Sequence, residues 1–93
     1  MQTIFVMVKC ELGKAYDVAD DACNVEQVSE VYSTSGQYDL LMKCYLDEKT
    51  DIGHFVTSKI QTLAGVKDTF TLIRSRHLAS RTAIAIYATM LGR

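Results

Sequence analysis

Proline and tryptophan are absent from these 93 residues; glycine occurs five times, cysteine three times and histidine twice. Without proline there is no forced helix break and no proline-rich linker, and nothing in the chain reads as disordered. No apolar run approaches the roughly 20 residues that a membrane-crossing helix needs, so no membrane span is expected. Cys10, Cys23 and Cys44 form no CxxC pair and no metal-ligand spacing. All three are read as small buried hydrophobes, and neither a metal nor a cofactor is expected. Gly-rich phosphate loops are missing. Met1-Gln2-Thr3-Ile4 carries no basic region ahead of an apolar one, so no signal peptide is read and the expected compartment is the cytoplasm. A strong basic excess is missing as well. The net charge is −1, which argues against direct DNA binding. The charge is uneven, however: residues 1–68 hold six Lys/Arg against eleven Asp/Glu, while residues 69–93 hold four Arg and no acid. That basic end is either an interaction tail or a solvated surface.

What is present is alternation. Ile4, Val6 and Val8 point one way and Phe5 and Met7 the other, which predicts a strand over Thr3–Cys10 with both faces covered or nearly so. The period then becomes helical from Lys14 to Cys23: Ala15, Val18, Ala19 and Ala22 share one face, and Asp17, Asp20 and Asp21 face water. Asn24 suits a left-handed exit from that helix. Strands follow over Val28–Thr34 and Tyr38–Leu46, the second with Leu40, Met42, Cys44 and Leu46 on one face. Between them lies Ser35-Gly36-Gln37, a turn in which Gly36 can take a positive φ. This hairpin gathers Ser33, Thr34 and Ser35 hydroxyls, the Tyr38 phenol and the Asp39 carboxylate. No other stretch concentrates as many groups suited to a small polar ligand. Thr50 is the expected N-cap of a second helix, with Ile52, Phe55, Val56, Ile60 and Leu63 on its apolar stripe and Gly65 as its C′ residue. Val66–Arg76 reads as a fourth strand.

The order β-α-β-β-α-β is that of the ferredoxin-like α+β folds. Right-handed crossovers place both helices on one face of the sheet. The other face is then expected to carry Phe5, Met7, Leu41, Tyr45 and Ile73 uncovered. At about 25 cal/mol per Å² of apolar surface, leaving it wet costs several kcal/mol. A chain this short also buries only roughly 60–65% of its unfolded surface and gains from association. A homodimer with two sheets face to face, a dimeric α+β barrel, is therefore expected. Residues 1–77 form the domain. Residues 78–93 form a C-terminal extension, read as helical, although Thr82–Tyr87 also alternates like a strand.

The run Val31-Tyr32-Ser33-Thr34-Ser35-Gly36-Gln37-Tyr38-Asp39-Leu40-Leu41 resembles the Val-Tyr-x-x-x-Gly-x-Tyr-Asp hairpin of the Lrp/AsnC effector-binding domain, also called the RAM domain. Lys59 to Ile73 is similar to that family's final helix, Gly-Val turn and Thr-x-Thr strand, and Phe5–Lys9 with Gly13-Lys14 fits its opening. The likeness covers residues 1–77, and residues 78–93 match nothing in the pattern. It implies ferredoxin-like dimers, often assembled as four dimers into an octamer, with small effectors, usually amino acids, held between dimers. Full-length members carry an N-terminal helix-turn-helix that reads DNA. This chain begins at the first strand and is expected to be a stand-alone effector module that modulates transcription through a partner, such as a full-length relative.

On that resemblance, the N–H groups of Gly36 and Gln37, with the Thr34 or Ser35 hydroxyl, are expected to receive an effector carboxylate. Asp39 would hold the ammonium group, Tyr38 would wall the pocket and Thr71 would complete it. The plainer alternative is that Asp39 and Ser35 only stabilise the turn. Two other classes stay open. Dimeric α+β barrels house monooxygenases and isomerases, and fold does not fix function. Yet His54 and His77 have no acid or nucleophile at readable spacing, so no catalytic residue is named and the chain is read as a non-enzyme. A purely structural oligomerisation module is the third class.

Overall fold

β-branched and apolar residues alternate through the first segment, and it forms the central strand β1, Gln2–Cys10. The computed structural model describes residues 1–75. His77, the boundary at residue 77 and the expected extension 78–93 lie outside the described residues. After β1 come α1 (Ala15–Ala22), β2 (Val28–Ser33), β3 (Leu40–Leu46), α2 (Ile52–Phe55, continuing as a π-helical stretch Val56–Ile60) and β4 (Val66–Ile73). The strands form one antiparallel sheet in the order β2-β3-β1-β4. This is the expected ferredoxin-like arrangement.

One face of the sheet is closed by the helices. Ile4, Val6 and Val8 of β1 and Met42, Cys44 and Leu46 of β3 are fully buried there. Val18 and Ala22 of α1 and Phe55, Val56 and Ile60 of the second helix pack onto them. The apolar stripes read from the 3.6-residue period therefore face the core as expected.

Several local expectations are corrected. Asp51, not Thr50, caps α2: its side chain accepts the His54 N–H at 3.2 Å, the Ncap-to-N3 bond that an aspartate supplies. The second helix ends at Ile60 with Gln61 as its C-cap, so Gly65 is not its C′ residue. Gly65 instead occupies the turn into β4 at φ +94°, and a Cβ there would lie 3.0 Å from Lys14 Cβ and Val18 Cγ2 of α1. Its carbonyl accepts the Glu11 N–H at 2.8 Å, tying the two βα units together. Asn24 does not leave α1 through a left-handed conformation, because no non-glycine among the described residues has a positive φ. Cys10 and Cys44 are buried, but Cys23 at the end of α1 is exposed.

The register also moves one residue to the other face. Ile73 pairs with Ile4, whose side chain is in the core, so Ile73 belongs to the helix-covered side and not to the open one. Phe70 pairs with Met7 and Leu72 with Phe5. The open face thus carries Phe5, Met7, Leu41, Tyr45, Phe70 and Leu72. Phe70 is 50% and Leu72 46% exposed.

Candidate functional site

The hairpin between β2 and β3 is closed by two bonds from Thr34. Its N–H donates to the Asp39 carbonyl and its hydroxyl to the Tyr38 carbonyl, each at 2.9 Å. Gly36 takes φ +111°, which a side chain would resist, so it is the pivot the sequence implied. Lys9 reaches across from β1 and donates to the Gln37 carbonyl at 3.1 Å. Among the described residues, the Gly36 and Gln37 N–H groups have no acceptor. They are available to an anion.

Tyr38 and Asp39 leave the hairpin on different sides. Tyr38 stacks against Phe70 of β4, ring centroids 6.3 Å apart and planes at 29°. With Met7, Ser35 and Gln37 these rings line a hollow of about 340 Å³ on the open sheet face. Asp39 turns toward the end of β1. Its N–H donates to the Val8 carbonyl at 2.9 Å, and its Oδ2 accepts the Cys10 N–H at 2.8 Å. A second hollow, about 240 Å³, opens beside it between the β1–α1 loop and the start of β4. One carboxylate oxygen of Asp39 thus serves the local backbone, as the plainer sequence reading allowed.

Of the expected site residues, Thr34, Ser35, Gly36, Gln37, Tyr38 and Asp39 come together at one end of the sheet. Thr71 does not join them within the chain. It pairs with Val6 and so lies on the helix-covered side, away from Phe70 and the Tyr38 hollow. Sequence reasoning missed Met7 and Phe70, which the strand period placed on a face but not against the hairpin. It also missed Lys9 and Lys67, which line the Asp39 hollow.

Burial, and then the nearby Asp39 carboxylate, raises the Cys10 thiol above its ordinary value, with Lys9 acting in the opposite sense. Cys10 is therefore a neutral thiol near pH 7, unsuited to nucleophilic work. On the open face toward β2, the Tyr32 hydroxyl donates to Glu30 and its titration is raised by that bond. Lys43 lies 3.7 Å from Glu30 and 5.3 Å from the centroid of the Tyr45 ring. His54 is exposed on α2 and lines neither hollow. Among the described residues, no cluster of three or more His, Cys, Asp or Glu side chains can hold a metal ion.

Comparison with known proteins places this geometry. The family model of the Lrp/AsnC ligand binding domain matches residues 3–84. The HTH-type transcriptional regulator FL11 of Pyrococcus abyssi is 32% identical over 69 residues, covering 74% of this chain and 45% of the relative. The chain thus spans about half the length of the curated relatives it matches. The crystal structure of a Thermus thermophilus protein superposes with a TM-score of 0.78 at 31% identity, covering 86% of this chain and 100% of that one. A Neisseria meningitidis transcriptional regulator, solved as a complex with L-Met, shares the fold with a TM-score of 0.75 at 18% identity, over 88% of this chain and 55% of that one. The sheet order, the Gly36 hairpin and the family match over residues 3–84 agree, and the chain belongs to the Lrp/AsnC ligand-binding-domain family.

Proposed function

We propose that this chain is an amino-acid-binding and oligomerisation module of the Lrp/AsnC regulator type, which modulates transcription through partner proteins without touching DNA itself. The observation that carries the reading is the open sheet face. Phe5, Met7, Leu41, Phe70 and Leu72 form an apolar surface that no helix among the described residues covers, and the Tyr38–Phe70 hollow lies on it beside the hairpin. A second copy packed sheet to sheet hides that surface and brings the hairpin to the edge of an interface. Ligand and assembly are then coupled: an amino acid held at the hairpin favours whichever assembly it fits better, by the difference in its affinity for the two. Within the chain Thr71 lies on the helix-covered side, so a part for it in this reading requires that it come from another copy in a larger assembly, such as four dimers.

The Gly36 and Gln37 amides are suited to the effector carboxylate, and Asp39 to its ammonium group through the oxygen that Cys10 does not occupy. Binding without turnover is the simpler chemistry here, since among the described residues no histidine lines either hollow. Solution mass measured with and without a panel of amino acids tests the reading. Methionine heads the panel, because a regulator of this fold is described in complex with L-Met. A dimer or larger species whose mass or stability responds to one amino acid is expected. A monomer at high concentration, indifferent to the whole panel, refutes both the assembly and the sensor role. Calorimetry on Asp39→Ala then separates the site from the turn: equal heats for variant and wild type exclude Asp39 from binding.

A further inference from the structure

One charge stands in the middle of the open face, and the effector reading makes no use of it. Lys43 of β3 lies in the row Glu30–Lys43–Phe5–Leu72, which crosses the sheet from β2 to β4. Leu41 and Tyr45 flank it along its own strand, on the same face. An ammonium group among apolar neighbours is costly to cover, because covering it strips its water. Here the chain supplies the compensation itself. The Lys43 Nζ lies 3.7 Å from Glu30 Oε2 and 5.3 Å from the centroid of the Tyr45 ring. The other oxygen of Glu30 accepts the Tyr32 hydroxyl. Both carboxylate oxygens are engaged, and the cluster is neutral as a whole.

Strand register brings this about. Val28 pairs with Cys44 and Glu30 with Lys43, so β2 carries one extra residue, Ser29. Without that irregularity Ser29 would stand opposite Lys43. With it, Val28 packs against the core while Glu30 and Tyr32 stand on the open face. In water the arrangement adds little to stability, since exposed ion pairs contribute little. It matters once the face is covered: a lone charge is then penalised, and a neutral cluster is tolerated.

We infer that Glu30, Tyr32 and Lys43 select the partner of the open sheet face, which is a second copy of this chain: a copy that brings its lysine neutralised is accepted, and a sheet with an unpaired charge at this place is rejected. The inference rests on the sheet-to-sheet association proposed above and deepens it by naming what discriminates between partners. The cluster carries its own counter-charge, so the surface it fits is apolar and neutral, as this same face is. A twofold pairing of identical faces meets that requirement on both sides. A chain with the lysine but not the glutamate does not.

Sedimentation equilibrium on the full chain tests this with wild type, Glu30→Gln, Lys43→Met and the double variant Glu30→Gln/Lys43→Met. Neither side chain belongs to the core, so the replacements open no cavity there. Self-association about tenfold or more weaker is expected in Glu30→Gln, which strands the Lys43 charge, and in Lys43→Met, which strands Glu30. The double variant should recover to within about threefold of wild type, because it strands neither. Labelled wild type should bind Glu30→Gln more weakly than it binds wild type. Urea midpoints of the dissociated chains should stay close together. Self-association unchanged in Glu30→Gln, or a double variant as weak as the two single losses combined, overturns the selecting role and leaves the association standing. Wild type that stays monomeric at high concentration overturns both.

Discussion

Both faces of the sheet carry large apolar side chains, and these have opposite fates. On the helix side, Ile4, Val6, Val8, Met42, Cys44 and Leu46 are withdrawn from water. On the other side, Phe70 and Leu72 keep about half of their surface exposed, although Met7 and Phe5 stand beside them in the sheet. Hydrophobicity alone does not separate the two sets. What separates them is the handedness of the crossovers, which sends both helices to one side. The closed face holds the fold together, and on the open face large apolar side chains meet no helix among the described residues.

The largest expected effect breaks the closed face. Leu46→Ala removes a fully buried side chain and is expected to cost about 2–5 kcal/mol in urea unfolding. Phe70→Asp strikes the open face. It should leave the urea midpoint of the dissociated chain nearly unchanged while weakening self-association by roughly 100-fold or more, read by sedimentation. An unchanged mass for Phe70→Asp places the interface elsewhere.

A pH series sharpens the same contrast. Burial pushes the Cys44 thiol on the closed face up to about 11 from an ordinary value of 9.0. The folded state therefore keeps the Cys44 proton that the unfolded state gives up, so this contribution to stability is full below pH 9 and is lost as pH rises toward 11. Unfolding free energy should fall across that window by up to about 3 kcal/mol, and Cys44→Ala should flatten the decline. Thiol labelling at about pH 8 should modify exposed Cys23 in the native protein and spare Cys44 until unfolding. The smallest effect lies away from both faces. Asp51→Ala removes the cap on His54 N–H and should cost about 1 kcal/mol, seen as a lowered Tm with the mass unchanged.

The hairpin repeats the contrast at the scale of two residues. Tyr38 and Asp39 are neighbours in sequence, and a sequence reading assigns both to one pocket. The pleat sends Tyr38 to Phe70 on the open face and Asp39 to the Cys10 amide at the end of β1. Gly36 is legible as the pivot because only glycine takes its φ cheaply. The face of Ile73 is not legible, because the period of two is interrupted at Lys67, and one extra residue reverses the parity of Val66 relative to the rest of β4. Gly65 reads as a helix cap from its position after Leu63, whereas its role comes from α1 approaching from a distant part of the chain.

By itself the sequence determined the element order, the buried stripe of each helix and the inward residues of β1 and β3, because these follow from local periods of about 3.6 and 2. It also determined the Gly36 turn, since that conformation belongs to a single residue type. Only the tertiary structure decided that Phe70 meets Tyr38, that Asp39 is held by Cys10, and that Lys67 bulges into a hollow with Lys9 and Glu11. Those contacts join residues far apart in the chain, and their geometry depends on strand register, which no local pattern encodes.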